Sequence, residues 1–350
     1  MVLELSSRLF LSDLCIKTAD TFKTFEQCGE AMEYELDKMA EERGNLFHDS
    51  DVPPLWPPSA ESRVPVHPAN AGTTNHSIAT IVAPVLIPAF HEQPYDSICA
   101  EAIQSGRYNN ASYLCYCHET VVPAIIYMPS FQLAQALGHA RTLPLAIGQH
   151  GSLACILGLR WLERLLHKDN TSHAVLAIID QTVYPFSRRH WDGYLKADMA
   201  MWCRVSSQGG EFEVLSYASR PAYLATDMFH WSSDDYDQAI DGLVQQLESS
   251  VKQGEHAQTD LMIVQHVSAK WISQVERIAA QTGISLYQRS EWTEVNGLGS
   301  DPFLTLQEAV HTGAMVYGQT ALLVFASVDY GIGLIRIRRN FEPACSQVDK

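Results

Sequence analysis

Apolar positions along the chain fall into two rhythms. Short apolar runs at Tyr113–Cys117, Leu143–Ile147, Ala174–Ile179, Met199–Val205, Leu261–Val264, Ala321–Ser327 and Leu334–Arg338 have the length and content of buried strands. Arg8–Ile16 and Glu213–Ala218 read as further strands. Between them lie stretches whose apolar residues recur every three or four positions, the spacing of a helix that buries one face. These are Phe131–Leu137, Leu153–Leu166, Tyr236–Lys252 (with Ile240, Leu243, Val244, Leu247 and Val251 on one side), Ala269–Thr282 and Pro302–Gly313. Gly283 closes the fourth of these helices. Strands and helices alternate twice over, which predicts an α/β architecture of two halves, residues 1–207 and 208–350. The halves share a pattern and not a sequence.

The first third departs from that rhythm. Thr24–Arg43 is acidic with a helical pattern, and Asp49–Asn75 is rich in proline. The second segment is too long for a bare connector and is expected to be a lid or a dimer-contact segment. Ile78–Phe90 is apolar but broken by Pro84 and Pro88, and Thr182–Tyr194 reads as another mobile loop.

Composition narrows the function classes. A net charge of −16 excludes a protein built to hold nucleic acid, whose affinity needs a basic face. Apolar runs of transmembrane length are missing, so no membrane partner is expected. The eight cysteines are irregularly spaced and the fourteen histidines make no metal motif, so no metal is predicted. The N-terminus lacks the pattern of a secretion signal, and the cysteines then fit a reduced, cytoplasmic setting. Cys115 and Cys117, two apart on a strand, share a face. An anionic substrate would need local positive charge, for which Arg188, Arg189 and His190, or Arg336, Arg338 and Arg339, are the candidates beside a plain solvated surface.

Candidate chemistry gathers at Gly148–Gln149–His150–Gly151–Ser152. A strand ends, the chain turns sharply, and a helix begins at a hydroxyl. Such an elbow lifts a side chain out of the packing beside the positive end of a helix, a place for a nucleophile. The plainer alternative is that Ser152 caps the helix.

Four stretches together resemble the thiolase fold, in its ketoacyl-ACP synthase III branch. They are Gln149–His150–Gly151–Ser152–Leu153–Ala154 with its helix and following strand, Tyr194–Val205 with Asp198, Leu261–Ile272 with His266, and Val295–Ile337 with its turn, helix and last two strands. The resemblance implies a five-layered αβαβα core and acyl-thioester chemistry. It implies no permanently bound cofactor, and it makes acyl-CoA or a phosphopantetheine-linked acyl group the substrate. It implies a dimer of strands paired across a two-fold. The family's nucleophilic cysteine is replaced by Ser152. Cys155 lies nearly one turn further in, where it should point into packing. His266 falls in the histidine position. The asparagine position is open between Asn296 and Val295, the latter favoured by a register anchored on Ser300 and Pro302. Asp301 lies in the same turn.

Serine needs a base where cysteine does not. The expectation is a Ser152–His266–Asp301 arrangement, with Asn296 in the catalytic set and Arg188 and Arg189 holding the acyl carrier. His150 is a second candidate base, although a structural role suits it better. The favoured reading is an acyltransferase that moves an acyl group from CoA or an acyl carrier protein through Ser152 to a hydroxyl, amine or carbon acceptor, in specialised metabolism. The alternatives are a degenerate subunit that partners an active ketosynthase homologue, and a non-catalytic acyl-binding scaffold. In the last, Trp56, Trp191, Trp202 and Trp231 would line the pocket.

Overall fold

The computed structural model describes residues 3–20, 22–23, 87–88, 95–119, 129–138, 142–169, 173–182, 193–222, 232–252 and 259–340. All of these but Lys23 belong to one compact unit, Met1–Phe22 with Ile87–Lys350. The expected helix at Thr24–Arg43, the proline-rich Asp49–Asn75, Arg188, Arg189, His190 and the tryptophans 56, 191 and 231 lie outside the described residues.

Ten strands form the main sheet. In chain order they are β1 (Leu3–Thr18), β2 (Tyr113–Cys117), β3 (Leu143–Ile147), β4 (His173–Asp180), β5 (Met199–Ser206), β6 (Phe212–Pro221), β7 (Leu261–Val264), β8 (Ser285–Tyr287), β9 (Thr320–Ser327) and β10 (Gly331–Arg339). The helices are α1 (Tyr95–Gln104), α2 (Pro129–Ala136), α3 (Ala154–Asp169), α4 (Ser233–Lys252), α5 (Ala269–Thr282) and α6 (Asp301–His311). The sheet order is β8-β7-β9-β10-β6-β1-β5-β4-β2-β3.

That order is a duplication. From β1 outward the pairings run antiparallel to β5, antiparallel to β4, then parallel to β2 and β3. From β6 outward they run antiparallel to β10, antiparallel to β9, then parallel to β7 and β8. β1 and β6 join the two sets antiparallel. The pattern shared by two dissimilar sequences is thus a shared strand topology, β1–β5 in one set and β6–β10 in the other.

Strand alternation builds three cores from one sheet. Cys115, Cys117, Leu176, Ile178, Ile263, Leu323 and Phe325 face a central cluster filled by α3 and α6. The residues between them face outward. Leu114, Tyr116, Val175 and Ala177 pack on α1 and α2, while Met262, Val264, Leu322 and Val324 pack on α4 and α5. The two halves of the sheet enclose α3 and α6 and carry α1 and α2 outside one half and α4 and α5 outside the other, the five-layered α/β thiolase-like fold. β4 and β9 are buried on both faces, which is why they read as unbroken apolar runs. Trp202 lies in the outer N-terminal cluster against Tyr108, so it is a core residue and lines no acyl pocket.

Helix ends follow ordinary rules. Ser268 Oγ accepts the Trp271 N–H to open α5, and Gly283 closes it at φ 73°. In α3, Gly158 lies against β2. A Cβ there would come 2.8 Å from Cys117 Sγ and 3.1 Å from Cys115 Sγ. Gly158→Val should therefore cost about 1–3 kcal/mol by overpacking. Gly242→Ala on α4, where nothing lies within 4 Å, should gain about 0.4–1 kcal/mol. Urea midpoints check both signs.

Candidate active site

The duplication brings two helix starts together. A 3-10 turn at Gly151–Leu153 leads into α3, and another at Leu298–Ser300 leads into α6. A Cβ on Gly299 would lie 3.9 Å from Ser152 Cα. Gly151 has φ 52°, and a Cβ there would meet Ser327 Oγ at 2.0 Å, so the elbow admits only glycine beside Ser152. Gln149 at φ 60° and Leu298 at φ 53° are left-handed without being glycine. Such backbone strain is stored where surrounding contacts over-determine it.

Ser152 is 1% exposed and caps nothing. Its hydroxyl donates across the site to Glu119 Oε2 at 2.7 Å, and accepts from Gln265 Nε2 at 2.9 Å. Glu119 Oε1 accepts from Lys196 Nζ at 3.3 Å. The second Gln265 Nε2 proton goes to Asn296 Oδ1 at 2.9 Å, and the Ala326 N–H donates to Gln265 Oε1 at 3.0 Å. That last bond fixes which way the amide points, so Gln265 offers Ser152 a donor and never a base. Asn296 Oδ1 also accepts from the Leu298 N–H at 2.9 Å.

The polar chain is therefore Lys196–Glu119–Ser152–Gln265–Asn296. A short parallel pairing of Leu195–Lys196 with Val295–Asn296 sets two of its members side by side. Glu119, Lys196, Gln265 and Asn296 line a cleft together with Tyr194, Tyr236, Ser327 and Asp329. Ser152 lies just behind its wall. Ser327 Oγ donates to Asp329 Oδ1 at 2.8 Å. Burial, and then the nearby Glu119 charge, raise the Asp329 carboxyl above its ordinary range, against the lowering effect of Lys196.

The structure brings Ser152 and Asn296 together through Gln265, while Val295 is a core residue. His266 makes no hydrogen bond to Ser152 among the described residues. The His266 ring bonds the Thr293 carbonyl through Nδ1 at 2.8 Å. A carbonyl only accepts, so Nδ1 carries the proton and Nε2 is a bare lone pair, buried without a partner. The Asp301 carboxylate does not touch that ring. Its oxygens accept the backbone N–H of His266 at 3.1 Å and of Gly297 at 2.7 Å, and it pairs with Arg289 at 2.8 Å, both side chains almost fully buried. The expected Ser152–His266–Asp301 relay is thus absent from these hydrogen bonds. Gln265 meets the Ser152 hydroxyl instead, and Glu119 is the acceptor the sequence reading missed.

Other candidates find structural places. Cys155 is buried, with Sγ on the Ser152 carbonyl at 3.3 Å, and burial pushes its thiol well up. Cys115 and Cys117 do share a face, with sulfurs 3.8 Å apart. His150 Nδ1 lies 2.8 Å from the Gly148 carbonyl, and its ring stacks on Tyr330. Asp198 accepts the Thr182 N–H at 2.8 Å. Arg338 pairs with Glu213, and Arg339 with Glu211 at 3.4 Å. Among the described residues, no group of three or more His, Cys, Asp or Glu side chains is placed to hold a metal, and no helix is long and apolar enough to cross a membrane.

No family model matches the sequence, and no curated protein matches it. Solved structures do. ChlB3, described as an acyltransferase, is 12% identical over 95% of this chain and 98% of that one, with a TM-score of 0.62. A variant of OleA from Xanthomonas campestris is 11% identical over 96% and 99%, also at 0.62. The 3-oxoacyl-(acyl carrier protein) synthase III of Xanthomonas oryzae pv. oryzae is 10% identical over 97% and 100%, at 0.64. At these identities the likeness is one of fold.

Burial lowers the His266 pKa, reinforced by Arg289 and opposed by Asp301. The folded protein then binds fewer protons than the unfolded chain between the two pKa values. Its stability is full above about pH 6.5 and falls, by up to about 1.4 kcal/mol per unit, as pH drops toward the folded value. Urea midpoints should fall more steeply with acid in the wild type than in His266→Asn, whose amide can still reach Thr293. Equal slopes would show that the ring is not held neutral.

Proposed function

We propose that the chain is an acyltransferase that carries its acyl group on Ser152. The observation that supports this reading is the hydrogen bond from Ser152 Oγ to the Glu119 carboxylate. A serine hydroxyl needs a proton acceptor in contact with it, and Glu119 is in contact. Ser152 Oγ attacks a thioester carbonyl while its proton passes to Glu119. The C–S bond then breaks, and the thiol leaves with that proton. The positive N-terminal end of α3 lies beside the reacting carbonyl and favours the developing oxyanion. The donor is CoA-linked or carrier-protein-linked acyl, and the working form is a dimer, with itself or with a homologue. Arg188 and Arg189 remain candidates for holding that donor. Departure from cysteine supports a place in specialised metabolism.

One observation favours a second reading, that of a non-catalytic subunit beside an active homologue. Gln265, fixed by Ala326, sits against the Ser152 hydroxyl and moves no proton. Intact-mass analysis after incubation with a panel of acyl-CoAs separates the two. The first reading expects an acyl adduct that vanishes in Ser152→Ala and forms roughly 100-fold more slowly in Glu119→Gln. It also expects His266→Asn to acylate within about three-fold of wild type, less than the loss of a base would cost. No adduct, with co-purification of a cysteine-bearing homologue, would establish the second.

A further inference from the structure

Among the described residues, the cleft in front of Ser152 has an unbalanced charge. Glu119, Lys196 and Asp329 line it, two carboxylates against one ammonium. Lys196 is engaged with Glu119 at 3.3 Å. Asp329 has a hydrogen bond from Ser327 but no cation in contact among the described residues. A half-buried carboxylate so placed is stabilised by any cation that enters. Tyr194 and Tyr236 line the same cleft. Asn296 supplies a second and independent sign of a ligand. It is 6% exposed and lines the cleft. Its Oδ1 takes two hydrogen bonds, while its Nδ2 bonds no described residue. A donor is thus left for an oxygen that no described residue provides.

We propose that this cleft binds a primary amine as its ammonium ion, with Asp329 as the counter-ion, and that this amine is the acyl acceptor. The proposal rests on the Ser152 acyl-enzyme for its second half only. The acyl carbonyl oxygen lies toward Asn296 Nδ2. The ammonium gives one proton to Asp329, and solvent takes it on. The neutral nitrogen attacks the ester carbonyl, so a C–N bond forms and the bond from carbon to Ser152 Oγ breaks. The second proton of the amine returns to Ser152 Oγ through Glu119. An acyl-serine and an ammonium ion become an amide, a free serine and one proton. An alcohol brings no charge to answer Asp329. A malonyl thioester would set a third carboxylate against Glu119 and Asp329, which argues against decarboxylative carbon–carbon bond formation here.

Two measurements on the full chain test this. The first is calorimetric binding of hexylammonium and of hexan-1-ol to Ser152→Ala, where no transfer can occur. Hexylammonium should bind the more tightly, and adding Asp329→Asn should weaken it about ten-fold. Asp329→Glu should restore it. Equal affinity for amine and alcohol, or no loss in Asp329→Asn protein that melts as a folded chain, overturns the site. The second is transfer from acyl-CoA to hexylamine, hexan-1-ol or malonyl-CoA, read by product mass. The amide should dominate, and the amine-to-alcohol ratio should fall about ten-fold in Asp329→Asn. Ester or carbon–carbon product in its place overturns the acceptor class. Binding of hexylammonium without any acyl-serine upholds the ammonium site and overturns its part in acyl transfer, which is the failure of the Ser152 reading and not of the cleft.

Discussion

Asp301 is the point on which the site depends. Its carboxylate lies fully buried at the start of α6, where a lone charge would be costly. Arg289, itself buried, neutralises it at 2.8 Å. Arg289 in turn donates to the carbonyls of Trp292 and Val295 and to Thr305 Oγ1. The two carboxylate oxygens take the backbone N–H of His266 and of Gly297. Those residues directly follow Gln265 and Asn296, the two amides that meet at 2.9 Å. One ion pair therefore registers the end of β7 against the turn before α6. Removing one partner would leave the other buried and uncompensated, which costs about 3–5 kcal/mol in comparable pairs. The pair acts on the site through position alone.

Much of the fold was legible because the duplication leaves physical marks. Strands buried on both faces are apolar without a break, and helices clamped between sheets carry wide apolar faces. β7 and α5 match their predicted bounds, since Ser268 and Gly283 punctuate α5 chemically. Ser152 was legible as an elbow but not as a hydroxyl free of capping. A local sequence does not show which residue lies across the site.

Residues 265 and 266 lie on opposite sides of the strand they follow. Leu261 and Ile263 face the central layer, Met262 and Val264 the outer one. Continued at period two, Gln265 faces Ser152 and His266 faces away. The same rule finds Glu119. Cys115 and Cys117 face the central layer, and the next residue on that side is Glu119, which reaches Ser152. Ser327 follows Leu323 and Phe325 in the same manner on β9, and lies against Gly151. The signal was present in the alternation of the strands, and it extends one step beyond each strand's end.

This regularity explains why polar residues from distant parts of the chain converge. In a sheet with parallel neighbours, strand ends stop at one level, and each side's next inward residue enters the same space. Here β2, β7 and β9 end at that level with Glu119, Gln265 and the Ser327–Asp329 turn, while α3 and α6 begin there with Ser152 and Asp301. Topology fixes the address, and residue identity alone fixes the chemistry. At this address Ser152 meets a carboxylate, Glu119, and a fixed amide, Gln265. A charge within a cleft bears on which ligands enter it before any bond is made.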